Sequence, residues 1–260
     1  MKNPKDMIES TAPHKLDRLA AFLESFKLSA SVSDPDASVI GPCLMLYESP
    51  DSNKSRIVLR MLGRGSPSSD LRFTVAIEFD NATNPLMAAM PEEVSVPLHS
   101  APSLRSTAEA FLAEVDGARC GRLAALNRLA EVMVLMMLRQ VIDEGESQPG
   151  LFAALAHPSL YRALVSMHDH PAKAWTVEQL ADSATMSRTQ FMETFRRVVG
   201  TTPMAYLSTW RLTLAARYLR SGHSVKTVAR RVGFESAEGF SRAFSRVYGH
   251  APTDHTSVVR

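Results

Sequence analysis

The last 90 residues contain one structural unit written twice, and this repetition constrains the fold more than any other feature. Aligning residues 177–206 with 225–255 places Val177 on Val225, Leu180 on Val228 and Ala181 on Ala229, each 48 positions apart. Phe191 then meets Phe240, Phe195 meets Phe244, Gly200 meets Gly249 and Pro203 meets Pro252, each 49 apart. One residue is added in the turn of the second copy. Each copy predicts a short apolar-periodic helix with a small inward residue, a turn, and a second helix carrying Phe at i and i+4. An inward Ala lets two helices cross closely, as the crossing of about 90 to 120° in a helix-turn-helix requires. That is the role expected of Ala181 and Ala229.

Helix-start signals agree with this reading. Thr176 followed by Gln179, and Ser187 followed by Gln190, both have the spacing of a capping box. Thr202 before Pro203 starts another helix, because Pro at the first helical position loses no needed donor. The stretch from Pro203 to Ser221 predicts one helix of 19 residues, roughly 28 Å long at about 1.5 Å per residue. Two reading helices must lie about 34 Å apart to enter successive major grooves on one face of DNA, so the dimensions are compatible.

Charge points the same way. The whole chain carries only +2, but residues 171–260 hold 13 Lys and Arg against 6 Asp and Glu, while residues 1–170 hold 16 against 21. A basic domain of this kind suits the phosphate backbone of nucleic acid. With the Phe residues turned inward, the outward positions of the second helix in the first copy are Arg188, Thr189, Gln190, Met192, Glu193 and Arg196. In the second copy they are Ala237, Glu238, Ser241, Arg242 and Arg246. Arg and Gln are among the side chains that read base edges in the major groove. A charged helix face is ordinarily only a solvated face; the doubled architecture and the local excess of +7 favour double-stranded DNA as the partner.

These residues carry a resemblance. TVEQLADSATMSRTQFMETFRRVVGTTPMAYLSTWRLTLAARYL followed by SVKTVARRVGFESAEGFSRAFSRVYGHAP resembles the DNA-binding domain of the AraC/XylS family of bacterial transcription regulators. It covers about residues 171–255, with Ala229, Gly233, Phe234, Ser236, Phe240, Phe244, Gly249 and Pro252 as its most specific part. The resemblance implies seven helices, two helix-turn-helix units on a long connecting helix, and an amino-terminal sensor or dimerisation domain. Two positions depart from the family pattern. Thr185 stands where the first turn usually has Gly, and His255 stands where the family usually has Tyr, which the first copy keeps as Tyr206. Altered turn geometry and a looser carboxy-terminal end are the expected consequences.

The first half changes character along its length. LDRLAAFLESF predicts a short helix, and apolar runs at Val39 to Tyr47, Ile57 to Leu62 and Leu71 to Phe79 predict three or four strands. Helical periodicity returns from Ser106 to Val115 and from Arg122 to Ile142. The second of these helices is apolar over most of its circumference and must be buried, in its own core or against a second copy of the chain. EGESQPG at 144–150 reads as a linker or long turn. The order NPLMAAMPEEVSV, helices, HPSLYRALVSMHDHPAKAW is similar to the cupin-like sensor domains of the same family. A full cupin barrel needs about eight strands, so the barrel is expected to be reduced. The expected architecture is an α+β amino-terminal domain, residues 1–150, with a small cupin-like sheet plus helices. An all-α domain of two helix-turn-helix units joined by a long helix follows, residues 151–260.

Other chemistry is weakly signalled. Neither GxSxG, GxxxxGK[ST] nor HExxH occurs. His168 and His170 lie before Pro171 without a third ligand in a convincing pattern, so a capping or solvated role is expected and no metal or cofactor. His99 and His157 are isolated. Cys43 and Cys120 are too far apart for a CxxC site or a disulfide framework, which fits a reducing cytoplasm. Cys120 sits beside Arg119 and Arg122, whose charge would favour a redox-active thiolate. The first ten residues lack an apolar signal region, and Leu129 to Ile142 is interrupted by Glu131 and Arg139 and is too short to span a bilayer. The reading is a cytoplasmic, homodimeric transcription regulator and not an enzyme, with RNA polymerase and a small-molecule effector as candidate further partners. Its alternatives are an enzyme carrying a DNA-binding module and an interaction module that has lost DNA binding.

Overall fold

The computed structural model describes residues 17–32, 41–61, 69–79, 85–117, 119–145 and 149–255. Its first half is built as α1 (Ala20–Ser25), β1 (Leu28–Val32), β2 (Cys43–Tyr47), β3 (Arg56–Arg60), β4 (Leu71–Phe79), α2 (Pro85–Ala89), β5 (Glu93–Pro97), α3 (Pro102–Asp116) and α4 (Arg122–Glu144). The strands form one antiparallel sheet in the order β1-β4-β2-β3-β5.

All five residues of β2 are buried, because both faces of this central strand are covered. Leu44 and Leu46 join Ile57, Leu59, Phe73, Val75 and Val96 in the main core, while Cys43, Met45, Tyr47 and Val58 form a separate cluster on the opposite face. Continuous burial explains why β2 reads as an apolar run rather than an alternation.

Three strands fall within 43–79 as expected, but the sheet gains β1 and β5, which the sequence reading left out. In LSASV and EVSVP only Leu28, Ala30, Val32 and Val94, Val96 alternate inward, too few to stand out. Pairing with β4 and β3 makes them strands. Five strands among the described residues remain fewer than a full barrel. The expected helix at residues 16–26 is shorter, Ala20–Ser25, and Val39 and Leu62 lie outside the described residues.

The apolar helix α4 buries Leu126, Ala130, Met133, Val134, Met137, Leu138, Val141 and Ile142 within its own chain. Asn127 Oδ1 also accepts a hydrogen bond from Val32 N at 3.2 Å, tying α4 to edge strand β1. Two large apolar residues stay exposed, Leu123 at 61% near the start of the helix and Val132 at 41% on the face away from the core.

The second half comprises α5 (Leu151–Ala156), α6 (Leu160–Asp169), α7 (Val177–Ser183), α8 (Arg188–Val199), α9 (Pro203–Arg220), α10 (Val225–Arg231), α11 (Ala237–Tyr248) and α12 (Pro252–His255). From α6 onward these are the seven helices expected. Thr176 forms a reciprocal capping box with Gln179. At Ser187 only half of the expected box exists: its hydroxyl accepts from Gln190 N, while the exposed Gln190 side chain does not return the bond. Thr202, Ser224 and Ser236 cap α9, α10 and α11 in the same one-way manner. The long helix α9 has 18 residues, one fewer than expected.

The two halves share one continuous core. Phe22 of α1 is fully buried against the His168 ring, 4.6 Å between centroids, and against Trp210 at 5.0 Å. Within the second half, Gly150 N donates to Val198 O at 2.9 Å, joining the start of α5 to the end of α8.

Candidate nucleic-acid interface

Within each unit the first helix packs on the second, and its small residue, Ala181 or Ala229, is only 2% exposed. Phe191 and Phe195 of α8, and Phe240 and Phe244 of α11, are completely buried. Their burial, joined by Thr194 on α8, fixes the rotation of each second helix and leaves Glu193 and Arg242 exposed.

Turn geometry is nearly identical in the two units, contrary to the expectation for Thr185. Thr185 takes φ 56°, the only positive φ at a non-glycine position among the described residues, and Gly233 takes φ 85°. Thr185 N and Met186 N donate to Asp182 O and Ala181 O, both at 3.0 Å; Gly233 N and Phe234 N donate to Arg230 O and Ala229 O at 3.2 and 2.9 Å. The packing of Ala181 and Leu180 dictates the turn, and Thr185 accepts the left-handed backbone it demands. Arg162 of α6 donates to the Thr185 hydroxyl at 3.1 Å, supporting that position from outside the unit.

His255 also differs from expectation. It stacks on His250 at 5.2 Å and meets Phe244 edge-on at 5.4 Å and Tyr248 at 5.7 Å, so an aromatic ring still closes the second unit. The neighbouring His250 ring completes this aromatic contact.

Of the sequence-selected residues, Arg188, Thr189, Gln190, Glu193 and Arg196 on α8 are exposed, as are Glu238, Arg242 and Arg246 on α11. Met192, Ala237 and Ser241 are half-buried. The Ser241 hydroxyl donates to Ala237 O at 2.8 Å, which occupies its proton within the helix.

A helix-turn-helix domain model matches residues 180–256, and a cupin model matches residues 18–143. The chain is 33% identical over 199 residues to the HTH-type transcriptional regulator AlkR of Acinetobacter baylyi, covering 74% of this chain and 64% of that one. It is 30% identical over 209 residues to an HTH-type transcriptional regulator of Haemophilus influenzae, covering 80% and 69%. Over 129 residues it is 40% identical to a putative AraC-like transcription regulator of Streptomyces lividans, covering 49% and 42%. The chain belongs to the AraC-type family of helix-turn-helix transcriptional regulators. It spans about two thirds or less of the length of these relatives.

In this AraC-type chain the two units are electrostatically unequal. Residues 176–199 carry three basic and three acidic side chains, whereas residues 224–248 carry five and two. Three of those five, Lys226, Arg230 and Arg231, lie on α10, which the sequence reading passed over by considering only the second helix of each unit. All three are exposed. Lys226 and Arg230 line an open cleft of about 610 Å³ together with Glu235, Ser236 and Glu238 at the start of α11. In the first unit Glu178 occupies the position of Lys226. Its carboxylate is held below the usual range by its own backbone N–H first, and further by the Thr176 hydroxyl and Arg188. Arg188 Nε lies 2.7 Å from Glu178 Oε1, so the leading arginine of α8 is paired across the unit.

In the AraC-type chain no group of three His, Cys, Asp or Glu suited to a metal ion occurs among the described residues. His170 is exposed and ends α6, in line with a capping role. His168 corrects the expectation for it. It is buried, hydrogen-bonded through Nε2 to the Tyr206 hydroxyl at 2.8 Å, and enclosed by Phe22 and Trp210. Burial holds its pKa down to about 3 and raises that of Tyr206, so both rings are neutral. The residues that enclose His168 are distant in sequence, which is why its position before Pro171 misled. Cys120 is exposed, but Arg119 pairs with Glu114 and Arg122 donates to Glu114 O and Val115 O, so both neighbouring cations are engaged elsewhere.

Proposed function

We propose that this chain binds double-stranded DNA in a sequence-dependent manner and regulates transcription, placing α8 and α11 in adjacent segments of the major groove. The carrying observation is the doubled unit, whose buried Phe pairs turn two equivalent helix faces outward on the basic end of the chain. Arg188, Thr189, Gln190, Met192, Glu193 and Arg196 are the candidate contacts of the first unit; Ala237, Glu238, Ser241, Arg242 and Arg246 are those of the second. Arg242 is the strongest base reader among them, since a guanidinium can bond guanine O6 and N7 together. Lys226 and Arg230 serve the phosphate backbone. The activity is binding rather than catalysis, in keeping with relatives that carry the names of regulators.

The amino-terminal half serves as a homodimerisation platform in this reading. The exposure of the apolar Val132 on the outward face of α4 supports it. A small-molecule effector would enter the cleft of about 320 Å³ between α3 and the β2 end of the sheet, where Leu46, Leu98 and Leu112 offer apolar contact and Arg105 and His99 offer positive or hydrogen-bonding groups. RNA polymerase is the expected partner in activation, and the cytoplasm the expected location. No helix among the described residues is long and apolar enough to cross a membrane.

The direct test is enrichment of duplexes from a random pool by the full chain. A recurring bipartite sequence supports the reading, and recovery of no preferred sequence overturns it.

A further inference from the structure

The two helix-turn-helix units are joined by α9, but they also touch at a second point. Between the end of α6 at Asp169 and the cap at Thr176, the chain makes a compact loop whose carbonyls are held one by one. His170 O accepts from the Trp175 indole N–H at 3.0 Å. Pro171 O accepts from Arg211 Nε at 2.7 Å, and Lys173 O accepts from Arg211 Nη2 at 2.9 Å. Lys173 Nζ lies 3.8 Å from the Trp175 ring centre, closing the loop from its outer side.

Arg211 belongs to the middle of α9. Its guanidinium is half-buried and spends two donors on backbone oxygens, a fork geometry that fixes orientation as well as distance. Burial lowers its pKa from the usual value, in keeping with a cation drawn out of water.

Ala172, at the centre of this loop, rests against the turn of the second unit. A Cβ on Gly233 would lie 2.6 Å from Ala172 Cα and 2.8 Å from Ala172 O, backbone against backbone. Gly233 therefore meets two demands at once, a left-handed φ of 85° and an approach that no side chain permits. The loop leads directly into α7, so the second unit is seated on the entrance to the first.

The second unit already packs on α9 itself: the Tyr248 hydroxyl donates to Leu212 O at 3.5 Å and the Arg231 guanidinium lies 4.2 Å over the Tyr218 ring. The seat of Gly233 on the loop clamped by Arg211 braces the same unit from the side of the first, so α9 and the loop together oppose a change in the angle between α8 and α11. On B-DNA each base pair advances the groove by about 3.4 Å and rotates it by roughly 34°, from a repeat of about 34 Å and 10.5 base pairs. A rigid pair of readers therefore matches one spacing and mismatches its neighbours.

We infer that Arg211 and Gly233 are positioning residues that set the phase at which the two units meet DNA, making the chain selective for the spacing between its two recognised segments. Neither residue touches DNA in this arrangement. The inference rests on the DNA-binding reading above and adds to it a source of specificity outside the reading helices.

The test uses the full chain and the duplex it enriches from a random pool, together with derivatives carrying one or two extra base pairs between the two segments. Wild type should bind the one-base-pair insertion at least about tenfold more weakly than the parent. Arg211→Ala should lose little on the parent and reduce this ratio to about threefold or less. Arg211→Lys, which can keep one of the two carbonyls, should fall between them. Gly233→Ala, which forces Ala172 and the turn apart, should reduce the ratio by the other route. Thermal melting of each variant accompanies the binding data, and if Arg211→Ala does not fold, Arg211→Lys and Gly233→Ala decide. Equal weakening of folded variants on every spacing, or an unchanged ratio, overturns the inference, as does a wild type indifferent to the insertion. A wild type that binds no duplex at all is a different result and overturns the DNA-binding reading itself.

Discussion

Thr185 and Gly233 hold the same left-handed backbone position in the two turns, 48 residues apart, and close equivalent hydrogen bonds. The first turn thus keeps the geometry of the second while bearing a β-branched side chain where that conformation is unfavourable, at a cost of about 1 to 2 kcal/mol. Thr185→Gly should stabilise the protein by about 0.5 to 1 kcal/mol after the greater unfolded-state entropy of Gly and the lost bond from Arg162 are set against this relief. Urea unfolding midpoints check it; a lower midpoint contradicts it.

Arg188 is paired with Glu178 at 2.7 Å on the exposed side of the first unit. A carboxylate there both occupies the arginine and repels phosphate. Glu178→Gln should tighten binding to the enriched duplex about two- to fivefold, in line with the modest strength of exposed ion pairs. Titrations of the two proteins in the same buffer compare them, and weaker binding by the variant would show that Glu178 orients Arg188 productively.

The second unit carries the larger basic excess, and its arginines should divide between base and backbone. Arg242→Ala should lose about 1 to 3 kcal/mol of discrimination at one or two base pairs. Lys226→Ala should weaken all sequences alike and reduce the salt slope by about 1. Exchange of these two signatures between the variants would reverse the assigned roles.

His168 makes stability depend on pH. Its folded pKa is about 3 against an ordinary value of 6.5, so the unfolded chain binds a proton in this window that the folded chain refuses. The sign follows: stability is fully present above about pH 6.5 and falls as pH drops towards 3, by up to about 1.4 kcal/mol per pH unit from this group. His168→Leu should flatten the pH dependence below pH 6.5 by that amount relative to wild type. Parallel slopes in the two proteins between pH 7 and pH 5 would remove His168 from the explanation.

Val132 is exposed on the outward face of α4, while Leu135 packs partly on the main core. Val132→Glu should therefore shift the full chain from dimer to monomer in sedimentation at micromolar concentration with little change in melting temperature. A wild type that is already monomeric at tens of micromolar, or a variant that stays dimeric, shows that this face is solvent-exposed surface.

The helix-turn-helix half was legible because its instructions are local. Thr176, Ser187 and Thr202 mark helix starts, and the Phe pairs at i and i+4 mark buried faces within single helices. What was illegible depends on residues brought together from afar. β1 and β5 have too few apolar residues to announce themselves and become strands by pairing with Leu71–Phe79 and Arg56–Arg60. His168 gained its burial from Phe22 and Trp210. The left-handed Thr185 ran against local preference because the Ala181 crossing outweighs it. In the candidate interface the outward faces followed from the Phe pattern, whereas the Glu178 pairing and the α10 cations required the crossing of two helices to be seen.

The proposal as a whole stands on specific DNA binding, and competitive titration of the full chain measures it most directly. The enriched duplex and a base-shuffled duplex of equal length are compared at physiological salt and then over a salt series. We expect the enriched duplex to bind about 10³-fold or more tightly than the shuffled one. Both affinities should fall linearly on a log–log plot, because releasing the same counterions into more concentrated salt gains less free energy, with a slope of several units. Equal affinity for the two duplexes, or affinity that does not change with salt, would contradict it.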